Sequence, residues 1–461
     1  MNPVTALRTT ELAEAGLEGL QARLGDEKIV LPADVSWDEA RQAWNLAVDQ
    51  RPAAVALPET ADEVIAVVRF AHSHGLRVAP QGTGHGATAL GSLERTILLR
   101  TVRMKGVSID PDAGVARVEA GVIWEQVTHA AAEHGLAALA GSSPDVGVVG
   151  YTLGGGLSWL GRRYGLAANS VTAIELVTPD GLFVRATEDD EPELFWALRG
   201  GGGSFGVVTA LEFRLYPLRE AYAGTLFWPI EQAPKILAAW RGWVDELPDE
   251  TSSVGRLLQF PPIPDIPEPF RGRSFVVVEV AHTGDETKGA ELVRPLRALE
   301  PELDTIATIP ITALQQLHMD PEHPVPGAGD GMLLADVTPA TIAALVATVD
   351  GSPLLSAEIR HLGGELGRVR PGAGALASLE APFAFFAVGI AMTPQLKEAV
   401  ESSVQRVQTA LARWDAGVEY LNFAERRRPP KRFFNGSTAR LAEVKAAVDP
   451  ANVIRSNHPV S

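Results

Sequence analysis

Three loops of this chain are so dense in glycine that they constrain everything built around them. Residues 78–91 read VAPQGTGHGATALG, residues 141–170 read GSSPDVGVVGYTLGGGLSWLGRRYGLAANS, and residues 199–206 read RGGGGSFG. Glycine lets another group press against the backbone, but it weakens any helix or strand that it interrupts. Each run is therefore a loop and needs regular structure on both sides. The flanks supply it. AAVALP (53–58) predicts a strand, TADEVIAVVRFAHSHG (60–75) a helix capped by Thr60 and stopped by Gly75, and LRVAPQ (76–81) the strand that enters the first loop.

The same alternation continues through GVARVEAGV (114–122), the helical IWEQVTHAAAEHG (123–135), VTAIELVTPDG (171–181) and LFWALRGGGGSFGVVTALEFRLYPL (194–218). It predicts a layered α+β domain. Beyond 218–225 the style changes. Long apolar strands such as RSFVVVEVAHTG (273–284) and FAFFAVGIAM (383–392) lie near helical segments and are joined by the proline-rich FPPIPDIPEPF (260–270) and HPVPGAGDG (323–331). That pattern predicts a second domain, an antiparallel sheet backed by helices. No repeat of 20–50 residues is visible, which argues against a solenoid or propeller.

Composition narrows the partners. A chain of 461 residues with 46% apolar residues can bury two cores, and a net charge of -17 disfavours nucleic acid and anionic membranes. The densest basic stretch, AERRRPPKR (424–432), reads as a solvated turn. The chain has no cysteine, which excludes disulfides, thiolate catalysis and Cys-ligated zinc and fits a reducing compartment. The opening MNPVTALRTTELAEAGLEGLQARLG lacks the basic start and apolar run of a secretion signal, and no stretch is long and apolar enough to span a bilayer. The expectation is a cytoplasmic monomer or homodimer without nucleic-acid, membrane or metal partners.

In the first loop Gly82, Gly84 and Gly86 bracket His85. Successive amides in such a turn form a concave site for anionic oxygens. The spacing is Gly-x-Gly-x-Gly, not the Gly-x-Gly-x-x-Gly of nicotinamide-dinucleotide folds, and taken alone it also fits a tight turn with a capping histidine. Three such loops in one half of the chain point to a large phosphate-bearing cofactor cradled by backbone amides.

With these loops in place, the chain resembles the flavin-linked oxidases of the vanillyl-alcohol oxidase type, in their berberine-bridge-enzyme-like branch. The likeness runs through SWDEARQAWNLAVDQRPAAVALPETADEV (36–64), YGLAANSVTAIELVTPDG (164–181), ELFWALRGGGGSFGVVTALEF (193–213) and YLNFAERRRPPKRFFNGSTARLAEVKAAVDPANVIRSNHPV (420–460). The resemblance implies a two-subdomain FAD-binding domain over 30–218, a substrate-binding domain over 219–418, and a C-terminal segment, 419–461, that returns to the FAD domain. It also implies that His85 is bonded covalently to the 8α-methyl carbon of FAD, with Gln81, Gly82, Thr83, Gly84 and Gly86 wrapping the pyrophosphate. Such a tether fixes the ring and tends to raise its reduction potential.

Other positions follow from the same resemblance. Many relatives carry a second, cysteine anchor in Cys-Pro-Thr-Val-Gly, where this chain has Ser-Pro-Asp-Val-Gly at 143–147. Ser143 cannot form the thioether, so a single attachment is implied. Val146 matches the position that controls dioxygen access, and valine there resembles an oxidase. Gly147, Gly150, the Gly154, Gly155, Gly156 run and Val207 fall on the cofactor side, and Tyr151 stands where relatives often have histidine. Tyr420 matches the tyrosine of a Tyr-x-Asn motif that is the general base in several members, and Asn422 its flavin-side asparagine.

A phenol with a pKa near ~10 is a poor base without a nearby positive charge or donors. Arg360 and His361 in EIRHLGGELG (358–367) are the candidates for that help. Glu380 falls where relatives show a His-Arg pair, and Trp240 and Trp243 share a helix face that suits core packing or a pocket wall. The implied activity is transfer of hydride from an alcohol, phenol-type or amine carbon to FAD, with dioxygen returning the flavin and giving hydrogen peroxide. A dehydrogenase using another acceptor, and a flavin-binding scaffold or non-redox cyclase without turnover, are the alternatives that the residues leave open.

Overall fold

The computed structural model describes residues 16–264 and 266–461. The first fifteen positions of the opening segment read above as unlike a secretion signal lie outside the described residues. The architecture is α+β and contains three principal sheets. In the first, Ala54–Ala56 and Arg77–Gln81 both pair parallel to Thr96–Arg100, and Ile29–Val30 adds an antiparallel edge. The helix Ala61–Ser73 joins two of these strands, and Thr60 caps it by accepting from the Glu63 amide. Its Val64, Val67, Val68 and Ala71, spaced at i, i+3, i+4 and i+7, are buried in one cluster with Val78, Ile97 and Leu99. Each such aliphatic side chain contributes roughly 1.5–3 kcal/mol by leaving water, less for alanine.

The second sheet is antiparallel, in the order Val107–Asp110, Val115–Glu119, Val207–Arg214, Val171–Val177, Phe183–Ala186. The helices Trp124–Glu133 and Pro192–Leu198 share its core. All three glycine loops leave the strands and helices of these two sheets.

The third sheet is antiparallel and larger, running Leu303–Asp304, Glu220–Pro229, Ser274–His282, Thr251–Gln259, Ser356–His361, Phe383–Ile390, Gly327–Leu334, with Ala307–Pro310 also paired to Glu220–Pro229. One face carries Leu226, Trp228, Val276, Val278, Ile359 and Phe385 and is covered by the helices Ala233–Val244, Glu286–Arg297, Pro339–Val349 and Pro394–Leu411. Trp240 and Trp243 belong to this core, their indole N–H groups donating to Ser253 Oγ and to the Leu292 carbonyl. They pack the sheet's rear. Among the described residues no helix is long and apolar enough to cross a membrane.

The segment 419–461 ties these sheets together. Ile454 forms a parallel bridge to Val78, and Arg427 donates to the carbonyls of Ala89 and Leu90. Arg428 pairs at 2.5 Å with Asp330, a fully buried carboxylate on the strand Gly327–Leu334, and also with Glu419. Arg432 bridges Glu419 and Asp415. The basic stretch 424–432 is therefore a clamp and not the solvated turn that its composition suggests. Its charges pair both with Asp415 and Glu419 just upstream and, across the fold, with Asp330. Removing Arg428 strands Asp330 in the interior, so Arg428→Met is expected to lower unfolding stability by about 3 kcal/mol, measured by urea denaturation.

Candidate functional site

The strand Arg77–Gln81 ends in a side chain held from behind. Gln81 and Gln50 exchange amide hydrogen bonds at 2.8 and 3.1 Å. The chain then turns through Gly84 at φ +94°, where a Cβ would press on Ala43 at 3.0 Å. Trp44 follows Ala43, and its amide donates to the Thr83 carbonyl at 3.0 Å. The His85 ring lies flat on Trp44, with centroids 4.0 Å apart and planes 22° from parallel. His85 Nε2 sits 3.4 Å from Asp145 Oδ1 and, although buried, makes no well-formed hydrogen bond. Asp145 also accepts from the Trp44 indole N–H and, at 3.0 Å, from Ser143 Oγ. Burial works against that carboxylate's charge, but His85, Trp44 and Ser143 outweigh it and lower its pKa.

The second loop comes up against the first. Gly147 lies beside Thr83, and the Val146 carbonyl accepts from the Trp124 amide at 3.0 Å. Gly150, exposed, has nothing near the position of a Cβ. Tyr151 donates its hydroxyl to the Leu139 carbonyl at 3.1 Å, so its ring packs inside the loop.

Gly154, Gly155 and Gly156 have a specific reason to lack side chains. A Cβ on Gly154 would land on Asn422 Oδ1, one on Gly155 would meet Tyr420 Cε2 at 3.2 Å, and one on Gly156 would meet the Tyr151 ring at 2.6 Å. Asn422 Nδ2 donates to the Tyr151 carbonyl at 2.9 Å and to the Tyr420 oxygen at 3.0 Å. Val207 does not join this group. Its side chain is fully buried in the core shared by the first two sheets, with Val78, Ile97 and Val177, behind the third glycine loop.

The third sheet's other face, turned toward the glycine loops, carries buried charge. Strand alternation puts Glu358 and Arg360 on this face and His361 on the other. Arg360 Nε donates to Glu358 at 2.6 Å, and its guanidinium lies 5.1 Å over the Phe423 ring, which in turn meets Tyr420 edge-on at 5.2 Å. His361 instead accepts from Arg162 at 3.3 Å and leans on Phe383. Burial, Arg162 and Arg241 lower its pKa to about 3, so the ring is neutral. Only Arg360 of the expected pair stands near Tyr420; Glu380 is exposed.

Next to Arg360 lies a buried network that no motif announced. His318 presents Nδ1 to Glu279 at 2.6 Å and Nε2 to Glu358 at 2.5 Å, and Arg256 bonds Glu279 and the His318 carbonyl. A ring with a carboxylate at each nitrogen donates from both and is an imidazolium. Burial and Arg256 oppose that charge, but Glu279, Glu358 and Asp320 outweigh them and raise the pKa to about 9. Met319, beside it, is held at φ +54°, a strained position for a residue with a side chain. His318 sits in a loop, LQQLHMDPEHP (314–324), with no periodicity to betray it, and Glu279 stands inside an apolar strand. Asp145 was in view in Ser-Pro-Asp-Val-Gly, but its closeness to His85 depends on two loops meeting.

Burial pushes the Tyr420 phenol above its ordinary range, while Asn422, the amides of Leu157 and Gly156, and Arg360 pull the other way. These three donors and one cation favour charge developing on that oxygen.

Comparison with known proteins bears on this geometry. Residues 52–187 match the family described as FAD binding domain, and residues 419–461 match the family described as berberine and berberine like. (R)-6-hydroxynicotine oxidase of Paenarthrobacter nicotinovorans is 36% identical over 202 residues, which span 44% of this chain and 44% of that oxidase. Glucooligosaccharide oxidase of Sarocladium strictum is 33% identical over 47% of this chain and 44% of its own. The chain thus aligns with under half the length of each. The solved structure of BBE-like 1 from Physcomitrella patens superposes with a TM-score of 0.84 at 22% identity, covering 96% of this chain and 99% of that one.

The residues present fit FAD. His85 lies flat on Trp44 without a well-formed hydrogen bond from its buried Nε2, which leaves the ring free to be tethered, and the Tyr420 oxygen is met by donors from Asn422 and two backbone amides. Because the folded pKa of His318 exceeds its unfolded value of about 6.5, its charge contributes stability in full below that pH and loses it as pH rises through about 9. The urea-unfolding gap between the native chain and His318→Gln is therefore expected to be widest near pH 6 and to shrink at pH 10.

Proposed function

We propose that the chain is an FAD-linked oxidoreductase of the berberine-bridge-enzyme-like type, a reading that its two family matches and its oxidase relatives support, and that it acts as an oxidase on a small molecule bearing a hydroxyl or amine on the carbon that is oxidised. The observation that carries this reading is the Tyr420 oxygen, packed on the Gly154–Gly156 turn and met by donors from Asn422 and two backbone amides. FAD, when bound, supplies the acceptor for the hydride.

The chain's own residues do the rest. Gln81 to Gly86 cradle the pyrophosphate with backbone amides, and His85 forms the single covalent tether, Ser143 being unable to add a thioether. Tyr420 takes the proton from the substrate's O–H or N–H as the hydride leaves the adjoining carbon. Asn422, the Gly156 and Leu157 amides and Arg360 hold the charge that develops on the phenolic oxygen. The sheet face bearing Arg360 and Glu358 closes the site opposite the glycine loops and orients the substrate. Val146 leaves dioxygen a path to the cofactor, and two relatives named as oxidases support dioxygen as the final acceptor. The absence of cysteine from the sequence supports a reducing, cytoplasmic setting.

Relatives named for hydroxynicotine and for glucooligosaccharides make cyclic amines and sugars the first compounds to screen, by anaerobic bleaching of the flavin. With a compound that bleaches it, Tyr420→Phe is expected to slow reduction by about 10²–10⁴-fold. Because the Tyr420 pKa is raised, its basic form grows with pH, and kcat/KM is expected to climb through the alkaline range without levelling near neutrality. Stopped-flow reoxidation no faster than that of free reduced flavin overturns the oxidase reading in favour of a dehydrogenase. A bound flavin that no compound reduces favours a scaffold.

A further inference from the structure

The geometry points to Asp145 as the base that activates His85 for its attachment to the flavin, an inference that rests on the covalent tether proposed above. Where many relatives have threonine in Cys-Pro-Thr-Val-Gly, this chain has an aspartate, and the fold brings that carboxylate to the histidine of a different loop. Three groups converge on it: His85 Nε2 at 3.4 Å, Ser143 Oγ at 3.0 Å and the Trp44 indole N–H. Trp44 also stacks on the imidazole at 4.0 Å. One residue thus fixes both the ring plane and the carboxylate that the ring faces.

The consequence is a choice of tautomer. A carboxylate beside Nε2 keeps the proton there, since an ionised Asp145 can only accept. Nδ1 is then left with its lone pair and has no protein partner among the described residues. This is the logic by which a buried aspartate orients a histidine for proton transfer in a catalytic triad. Asp145 is half-buried and its charge is favoured by its three donors, so it is ionised when the ring reacts.

The step balances as follows. A bond forms between His85 Nδ1 and the 8α-methyl carbon, while one methyl C–H bond and the Nε2–H bond break. Asp145 takes the Nε2 proton, the methyl proton leaves to solvent, and the two electrons released pass through the ring system to dioxygen, which takes up two protons and becomes hydrogen peroxide. The product is a neutral, substituted imidazole beside a carboxylate that has returned its proton to water. The same loop that in relatives furnishes a second covalent anchor here furnishes a base for the first.

The test compares the full chain with Asp145→Asn, Asp145→Thr, Asp145→Glu and His85→Ala, each incubated aerobically with added FAD. Total bound flavin is read by absorbance. The attached fraction is read over time by acid precipitation and by fluorescence of the denatured band. Expected are attached flavin in the native chain, normal total flavin but attachment on the order of 100-fold slower in the Asn and Thr variants, and recovery in the Glu variant. Attachment at the native rate in either neutral variant overturns the inference. So do Asn and Thr variants that bind no flavin, because Asp145 is then a support of the loop. If acid releases all flavin from the native chain, as from His85→Ala, the tether itself is refuted and the inference falls with it.

Discussion

The structure depends on bare backbone at Gly154–Gly156 receiving side chains from the far end of the chain. Asn422 occupies the volume that a side chain at Gly154 would fill, and Tyr420 crowds that of Gly155. The close approach lets Asn422 bond both the Tyr151 carbonyl and the Tyr420 oxygen, so the phenol is placed by the turn it covers. Without the turn, Tyr420 keeps Asn422 but loses the two backbone donors of Gly156 and Leu157. The clamp of Arg427, Arg428 and Arg432 holds the segment in register with the first loop and the third sheet, which fixes how deeply Tyr420 sits.

A second constraint comes from charge. Arg256, Glu279, His318, Glu358 and Arg360 alternate in sign along one sheet face, and most of them are almost wholly buried. Burying an unpaired ion costs several kcal/mol, whereas a complete alternating set with hydrogen bonds to each member roughly breaks even. Such a set is a device for position more than for stability. Its terminal member, Arg360, is the one that reaches Phe423 and the neighbourhood of Tyr420, so the network's rigidity is delivered to the site.

The sequence made local features legible and distant meetings opaque. Period and capping found the helix Ala61–Ser73 and the strands around it, because Thr60 and the valine spacing are decided within a few residues. The glycine loops could be read because a run of glycine excludes regular structure. Arg360 and His361, adjacent in sequence, could not be told apart until strand alternation sent one to the site and the other to Arg162 and Phe383. His318 was invisible because its two carboxylate partners come from strands remote in sequence. The 424–432 cluster reads as solvated because composition counts charges without pairing them: two of its acids, Asp415 and Glu419, stand just upstream, and only the buried Asp330 is remote.

The distance along the chain between His85 and Tyr420 carries a further implication, for the order in which a ribosome can make this protein. At roughly 5–20 residues per second, tens of seconds separate the emergence of the two residues. During that interval the early sheets lack part of their cores, Val453 and Ile454 in the first and Phe433, Phe434 and Leu441 in the second, and the glycine turn has neither Tyr420 nor Asn422 seated on it. A flavin captured then is held by half a site. Emergence of the segment 419–461, which fills both early cores and seats Tyr420 on the turn, is therefore the event on which the site waits.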